Sequence, residues 1–143
     1  MKYERFIKKT MPFGTALEID GENYLSNGSM AIRLPEWCGQ MGKTSNDNEL
    51  IDSVLNEWEW TNSPATLNRA YLENPDDKGK DIIRVFSSGD KEVHITNEEF
   101  GLIEKSDNCF IAYDGESTAL LVGKGFDVDD FEPDAIIMSL MEG

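Results

Sequence analysis

Two turn dipeptides, seven residues apart, constrain the first third of this chain more than any other feature. Asp20-Gly21 separates Thr15–Ile19 from Glu22–Ser26, and Asn27-Gly28 separates that segment from Ser29–Leu34. Asp-Gly and Asn-Gly accept φ > 0 in tight hairpin turns at little steric cost. Three short strands joined by such turns predict an antiparallel β-meander, closed by Pro35.

The rest of the chain reads as hairpins interspersed with short helices. Tyr3 to Thr10 forms a helix with Tyr3, Phe6 and Ile7 on one side and its cations on the other, ended by Pro12-Phe13-Gly14. Residues 36–46 read as a loop. A helix from a cap at Asn46 or Asp47 through Trp60 places Leu50, Ile51, Val54, Leu55 and Trp58 on one apolar stripe. Ala65–Leu72 fits either a strand or a helix, and the alternation of Leu67, Arg69 and Tyr71 favours the strand. Asn74–Lys80 reads as a turn region. Asp81–Phe86 and Lys91–Ile95 form a hairpin around Ser88-Gly89-Asp90. Thr96-Asn97-Glu98-Glu99 resembles a capping box that opens a helix to about Lys105. Cys109–Tyr113 and Thr118–Val122 form a last hairpin. Pro133 suits the start of a C-terminal helix ending by Met141, with a strand over Ile136–Leu140 as the alternative. The fold class expected is α+β, with antiparallel hairpins and two to four short helices. At this length the prior is a single domain spanning residues 1–143. Phe6, Leu50, Val54, Leu55, Trp58, Ile82, Val85 and Phe110 are the expected core.

Charge limits function more sharply than it limits fold. Twenty-eight Asp and Glu oppose thirteen Lys and Arg, a net charge of −15. Such a field repels nucleic acid and acidic membranes and attracts cationic protein surfaces. No basic stripe interleaves with aromatics, so direct nucleic-acid binding is not expected. Lys2, Arg5, Lys8 and Lys9 make the start basic. Residues 45–77 carry eight acids against Arg69 alone, and the tail from Gly125 carries six acids and no cation. Glu57 and Glu59 oppose the dipole at the end of the expected helix, a local conflict pointing to a role other than stability. No segment is long and apolar enough to span a bilayer, and MKYERFIKKT lacks the apolar stretch of a signal peptide. A reduced, cytoplasmic protein with Cys38 and Cys109 as free thiols is the expectation, and the sequence leaves a disulfide between them open.

The catalytic motifs tested do not hold. Gly42-Lys43-Thr44 lies where a phosphate-binding loop would sit, but the pattern needs Gly five residues before Gly42, and that residue is Trp37. A calcium loop counted from Asp127 places Phe131 fifth, Glu132 sixth and Met138 twelfth, where the pattern needs an oxygen ligand, Gly and Glu. His94 is the only histidine, and no nucleophile or acid in its local sequence marks it as catalytic. No enzyme, metal or cofactor is therefore expected. Trp60 falls off the apolar stripe that Trp58 joins. It is either a partly exposed anchor for a partner or packed under the following loop.

The opening MKYERFIKKTMPFGTALEIDGENYLSNGSMAIRLPE, the stretches Lys80–Phe86 and Ile95–Lys105, and Ala119–Val122 resemble small proteins encoded by phages and prophages of Firmicutes. The resemblance covers about half the chain. It implies a mobile-element origin and an α+β fold, and carries no catalytic motif. Phage origin with strong acidity is similar to anti-CRISPR and other anti-defence inhibitors, several of which set carboxylates where a nucleic acid would set phosphates. The expected function is a non-enzymatic inhibitor of a basic nucleic-acid-binding protein, above all a CRISPR effector nuclease in a bacterial cytoplasm. The expected partner-binding residues are Asp47, Glu49, Asp52, Glu57, Glu59, Trp60, Asp127, Asp129 and Asp130. The alternative is a phage structural or replication-accessory protein that acts by protein–protein association.

Overall fold

Eleven strands and three short helices follow one another among the residues that the computed structural model describes, which are 1–10, 14–34, 44–45, 49–72 and 82–140. Helix α1 (Tyr3–Thr10) precedes the expected meander of β1 (Thr15–Ile19), β2 (Glu22–Ser26) and β3 (Met30–Arg33). A two-residue β4 (Thr44–Ser45), α2 (Glu49–Asn56) and a two-residue β5 (Glu59–Trp60) come next. A second meander, β6 (Thr66–Leu72), β7 (Ile82–Ser88) and β8 (Lys91–Thr96), leads into α3 (Asn97–Phe100). Then follow β9 (Asn108–Tyr113), β10 (Thr118–Lys124) and β11 (Glu132–Met138). The larger sheet has the order β4-β1-β2-β3-β11-β10-β9-β5, and the smaller is β6-β7-β8. Every pairing is antiparallel except that of β4 with β1.

The β1–β2 turn follows its sequence signal. Asp20 and Gly21 both have positive φ, 53° and 82°, which matches the twist of the flanking strands. Strand alternation then divides the core between the two faces of the large sheet. One face presents Ile32, Ile111, Leu120, Val122 and Ile137. Phe86, Val93 and Ile95 of the smaller sheet pack on it, with Phe6 of α1 and Leu102 just after α3. The other face presents Leu17, Ala31, Phe110, Leu121 and Ile136, and Ile51 and Val54 of α2 cover it with Phe131. The central strands are therefore buried on both sides. Fully burying one such side chain stabilises by about 1.5–3 kcal/mol, and that burial holds the layers together.

Several expected elements differ from what forms. The helix expected through Trp60 ends at Asn56. The N–H groups of Glu57 and Trp58 both bond to the Ser53 carbonyl at 2.8 Å, closing the last turn. Glu59 and Trp60 then pair with Tyr113 and Ala112, as suits an aromatic residue beside an open sheet edge. Leu50, expected in the core, is 50% exposed, because the buried side of α2 centres on Ile51 and Val54. Ile82 is only half-buried. Helix α3 stops at Phe100 with Gly101 as its C-cap, well short of Lys105, and Leu102 turns inward. Its capping box is formed as expected: the Glu99 N–H donates to Thr96 Oγ1 at 3.0 Å, and the Thr96 N–H to Glu99 Oε1 at 3.0 Å.

The C-terminal segment is strand β11, not a helix. Pro133 lies opposite Gly123 at a register shift in the β10–β11 pair, and β3 pairs only with Ala135–Ile137. The missing Pro N–H therefore interrupts no bond to β3. Ala65–Leu72 is a strand from Thr66 on. Within the loop expected over 36–46, Thr44–Ser45 forms β4. The turn at 74–80, Cys38, and Gly42 and Lys43 of the phosphate-loop near-miss lie outside the described residues. No helix among the described residues is long and apolar enough to cross a membrane.

Candidate partner-binding face

Helix α2 lies across the large sheet because Ile51 and Val54, three residues apart, point the same way. Its opposite side carries Glu49 and Asp52, both exposed. Asn56 joins a third carboxylate to this side: its Nδ2 donates to Asp52 Oδ1 at 2.6 Å and to Asp20 Oδ2 at 3.0 Å. One neutral amide thus holds two acids close together. Asp20 was legible only as a turn residue, and nothing local in the sequence relates it to α2.

The second acidic segment reaches the same face through the β10–β11 connection. Gly125 turns the chain with φ 121°, and its carbonyl accepts Asn108 Nδ2 at 3.0 Å. The Asp130 N–H bonds to the Asp127 carbonyl at 3.0 Å, which closes the turn. Phe131 plugs it into the core, with its ring 4.6 Å from Phe110 and 6.3 Å, edge to face, from Trp60. Val128 packs on the same cluster. Asp127, Asp129 and Asp130 remain exposed. Residues 49–60 and 125–131 contain no Lys or Arg, whereas α1, with Arg5, Lys8 and Lys9, packs on the opposite face of the sheet.

The structure does not bring all the expected residues together. Glu59 stands opposite Tyr113 in the β5–β9 pair, and alternation puts this pair on the other face of the sheet from Trp60, Ala112 and α2. Glu57 lies at the sheet edge between them. Asp47 lies outside the described residues. Trp60 is half-buried. Its indole N–H donates to the Val54 carbonyl at 3.0 Å, satisfying one of the acceptors left open at the end of α2. It packs against Phe131 and caps α2, rather than under the loop that follows it.

The aromatic residue that sequence reasoning missed is Phe126, 85% exposed just before the acidic turn. Its ring stands in water between Gly125 and Asp127. Its signal in the sequence is an aromatic beside a Gly at the start of an acidic segment. Among the described residues no group of three or more His, Cys, Asp or Glu is placed to hold a metal ion. His94 is buried and does have side-chain neighbours: Tyr71 Oη is 2.9 Å from Nδ1, and Glu92 Oε2 is 3.7 Å from Nε2. No protein-family model, no curated protein and no solved structure matches this chain.

Proposed function

We propose that this protein binds a cationic, nucleic-acid-binding protein through the face formed by α2 and the 125–131 turn, and so denies nucleic acid its site. The observation that carries the reading is the docking of two acidic, cation-free segments on one side of the sheet, with the basic helix α1 on the other. Carboxylates fixed on a helix and a hydrogen-bonded turn lose little freedom on pairing with Arg and Lys, and Arg–carboxylate pairs add bidentate geometry. The net charge of −15 speeds encounter with a positive cleft, and added salt slows it. Phe126, beside Asp127, supplies the apolar contact that slows release.

The resemblance to phage proteins makes a CRISPR effector nuclease the first target to test. Target-DNA binding by guide-loaded effectors is measured with and without the protein, alongside capture of partners from host lysate. Loss of DNA binding, relieved by E49Q/D52N, supports occupancy. Capture of a partner whose nucleic-acid binding is unchanged supports the accessory, purely associative role, which the exposed Phe126 also fits.

A further inference from the structure

A cleft of about 410 Å³ opens at the β5 edge, lined by Glu57, Trp58, Glu59, Lys91, Tyr113 and Asp114 among others. Its carboxylates alone would define nothing. What gives it a chemistry is the Tyr113 ring, which already carries a cation: Lys91 Nζ lies 4.4 Å from its centroid. Glu59, the cross-strand neighbour of Tyr113, raises the Tyr113 pKa. The Tyr113 ring and the Glu59 carboxylate, cross-strand neighbours on one face of the sheet, thus line one opening, bordered by Trp58, which packs on the core of the other face. Three acids line it against the single cation Lys91. One of them, Asp114, is committed to its turn, accepting from the Glu116 and Ser117 N–H groups at 3.0 and 2.8 Å. Glu57 and Glu59 are exposed.

We propose that this cleft receives the guanidinium of an arginine on the partner protein, with Lys91 occupying the ring until it arrives. The inference deepens the function proposed above by naming a side chain the partner supplies, but it concerns the β5 edge rather than the α2 face. A guanidinium is planar and weakly hydrated, so it stacks on an aromatic face and pairs with a carboxylate in plane at once. An ammonium does only one of these well. Lys91 lies at the start of β8, next to the β7–β8 turn, and its flexible stem allows it to swing off the ring.

The test needs no partner, so its outcome is separate from that of the inhibitor reading. Blocked arginine (Nα-acetyl-arginine methylamide) and its lysine counterpart are titrated into the ¹⁵N-labelled protein, and the Glu59, Lys91 and Tyr113 amide shifts are followed. The expected result is saturable shifts at these amides, with the arginine compound at least threefold tighter than the lysine one. E59Q should weaken binding at least threefold. Y113L, which leaves the charge unchanged, should do the same. If Y113L loses its spectral dispersion, Y113F replaces it; with the ring kept, it should stay within twofold of the parent. K91A should tighten binding at least twofold more than K105A, which removes an equal charge elsewhere. Absent or non-saturable shifts, equal binding of both compounds, an unaffected Y113L, or K91A matching K105A would each overturn the proposal. A free guanidinium metabolite as the natural ligand would show instead as tighter binding of unblocked arginine than of the blocked form.

Discussion

Phe131 decides whether the acidic turn is fixed to the α2 face, so Phe131→Ala is the most informative single change to the fold. The side chain is 5% exposed and touches two rings, Phe110 and Trp60. Truncating a buried Phe to Ala costs about 3–5 kcal/mol, lost ring contacts included. Because the residue ends a surface turn that can partly collapse, the lower end, about 3 kcal/mol, is expected. At about 4 °C per kcal/mol for a chain near this size, the midpoint falls by about 12 °C. Urea unfolding followed by far-UV circular dichroism and tryptophan emission reads the loss, and Trp60 should report a wetter environment in the folded variant. Phe131→Leu, which keeps most of the volume, should cost less than about 1.5 kcal/mol. A loss below about 1 kcal/mol for the alanine variant would refute the docking of the turn, and with it the single acidic face.

Phe126→Ala should leave stability within about 0.5 kcal/mol, since the ring is 85% exposed, yet weaken competition for the partner about tenfold, a loss of about 1.4 kcal/mol; a competition assay on the purified target checks it. Glu99 is buried, and desolvation raises its pKa despite hydrogen bonds from Thr96 and Ser29. The folded state therefore holds this proton more tightly than the unfolded chain does. Its contribution is complete below the unfolded Glu pKa of about 4.3 and fades as pH rises through the folded value. E99Q keeps the capping acceptor, so it should match the parent at the acid end and gain on it as pH rises to 7; parallel urea curves across that range would contradict this. Burial pushes the Cys109 thiol up to about 12, so in a Cys38→Ser background it should resist a thiol-specific disulfide reagent at pH 8 until urea unfolds the protein. Rapid stoichiometric labelling of the native form would disprove that.

What could be read in advance was local. The Asp20-Gly21 and Asn27-Gly28 turns and the Thr96–Glu99 capping box each satisfy their own backbone within four residues, and each formed where the sequence put it. Where long-range pairing competes with a local pattern, the pattern gave way. Trp58 continues the apolar period of α2, but the open edge of β9 draws Glu59 and Trp60 into a strand. Pro133 reads as a helix start until β3 and β10 offer partners on either side of Ala135–Ile137. The candidate face was legible as two acidic segments, but their meeting depends on Phe131 and Trp60, and the pairing of Asp20 with α2 on Asn56. None of these contacts leaves a trace in sequence spacing. The same topology separates Glu59 from α2, which no helical projection would have done.

The central claim is that the position of the charge, rather than its amount, blocks nucleic acid. Two variants with the same change in net charge test it: E49Q/D52N/D127N/D129N on the α2 face, and E4Q/E92Q/E98Q/E104Q on α1, β8, α3 and the segment after it. Each is titrated against a guide-loaded effector holding fluorescent target DNA, at fixed salt, after circular dichroism has shown the fold intact. The account predicts that the first variant displaces DNA at least tenfold more weakly than the parent, while the second stays within about threefold. Equal losses in the two variants, or displacement by neither them nor the parent, would contradict it.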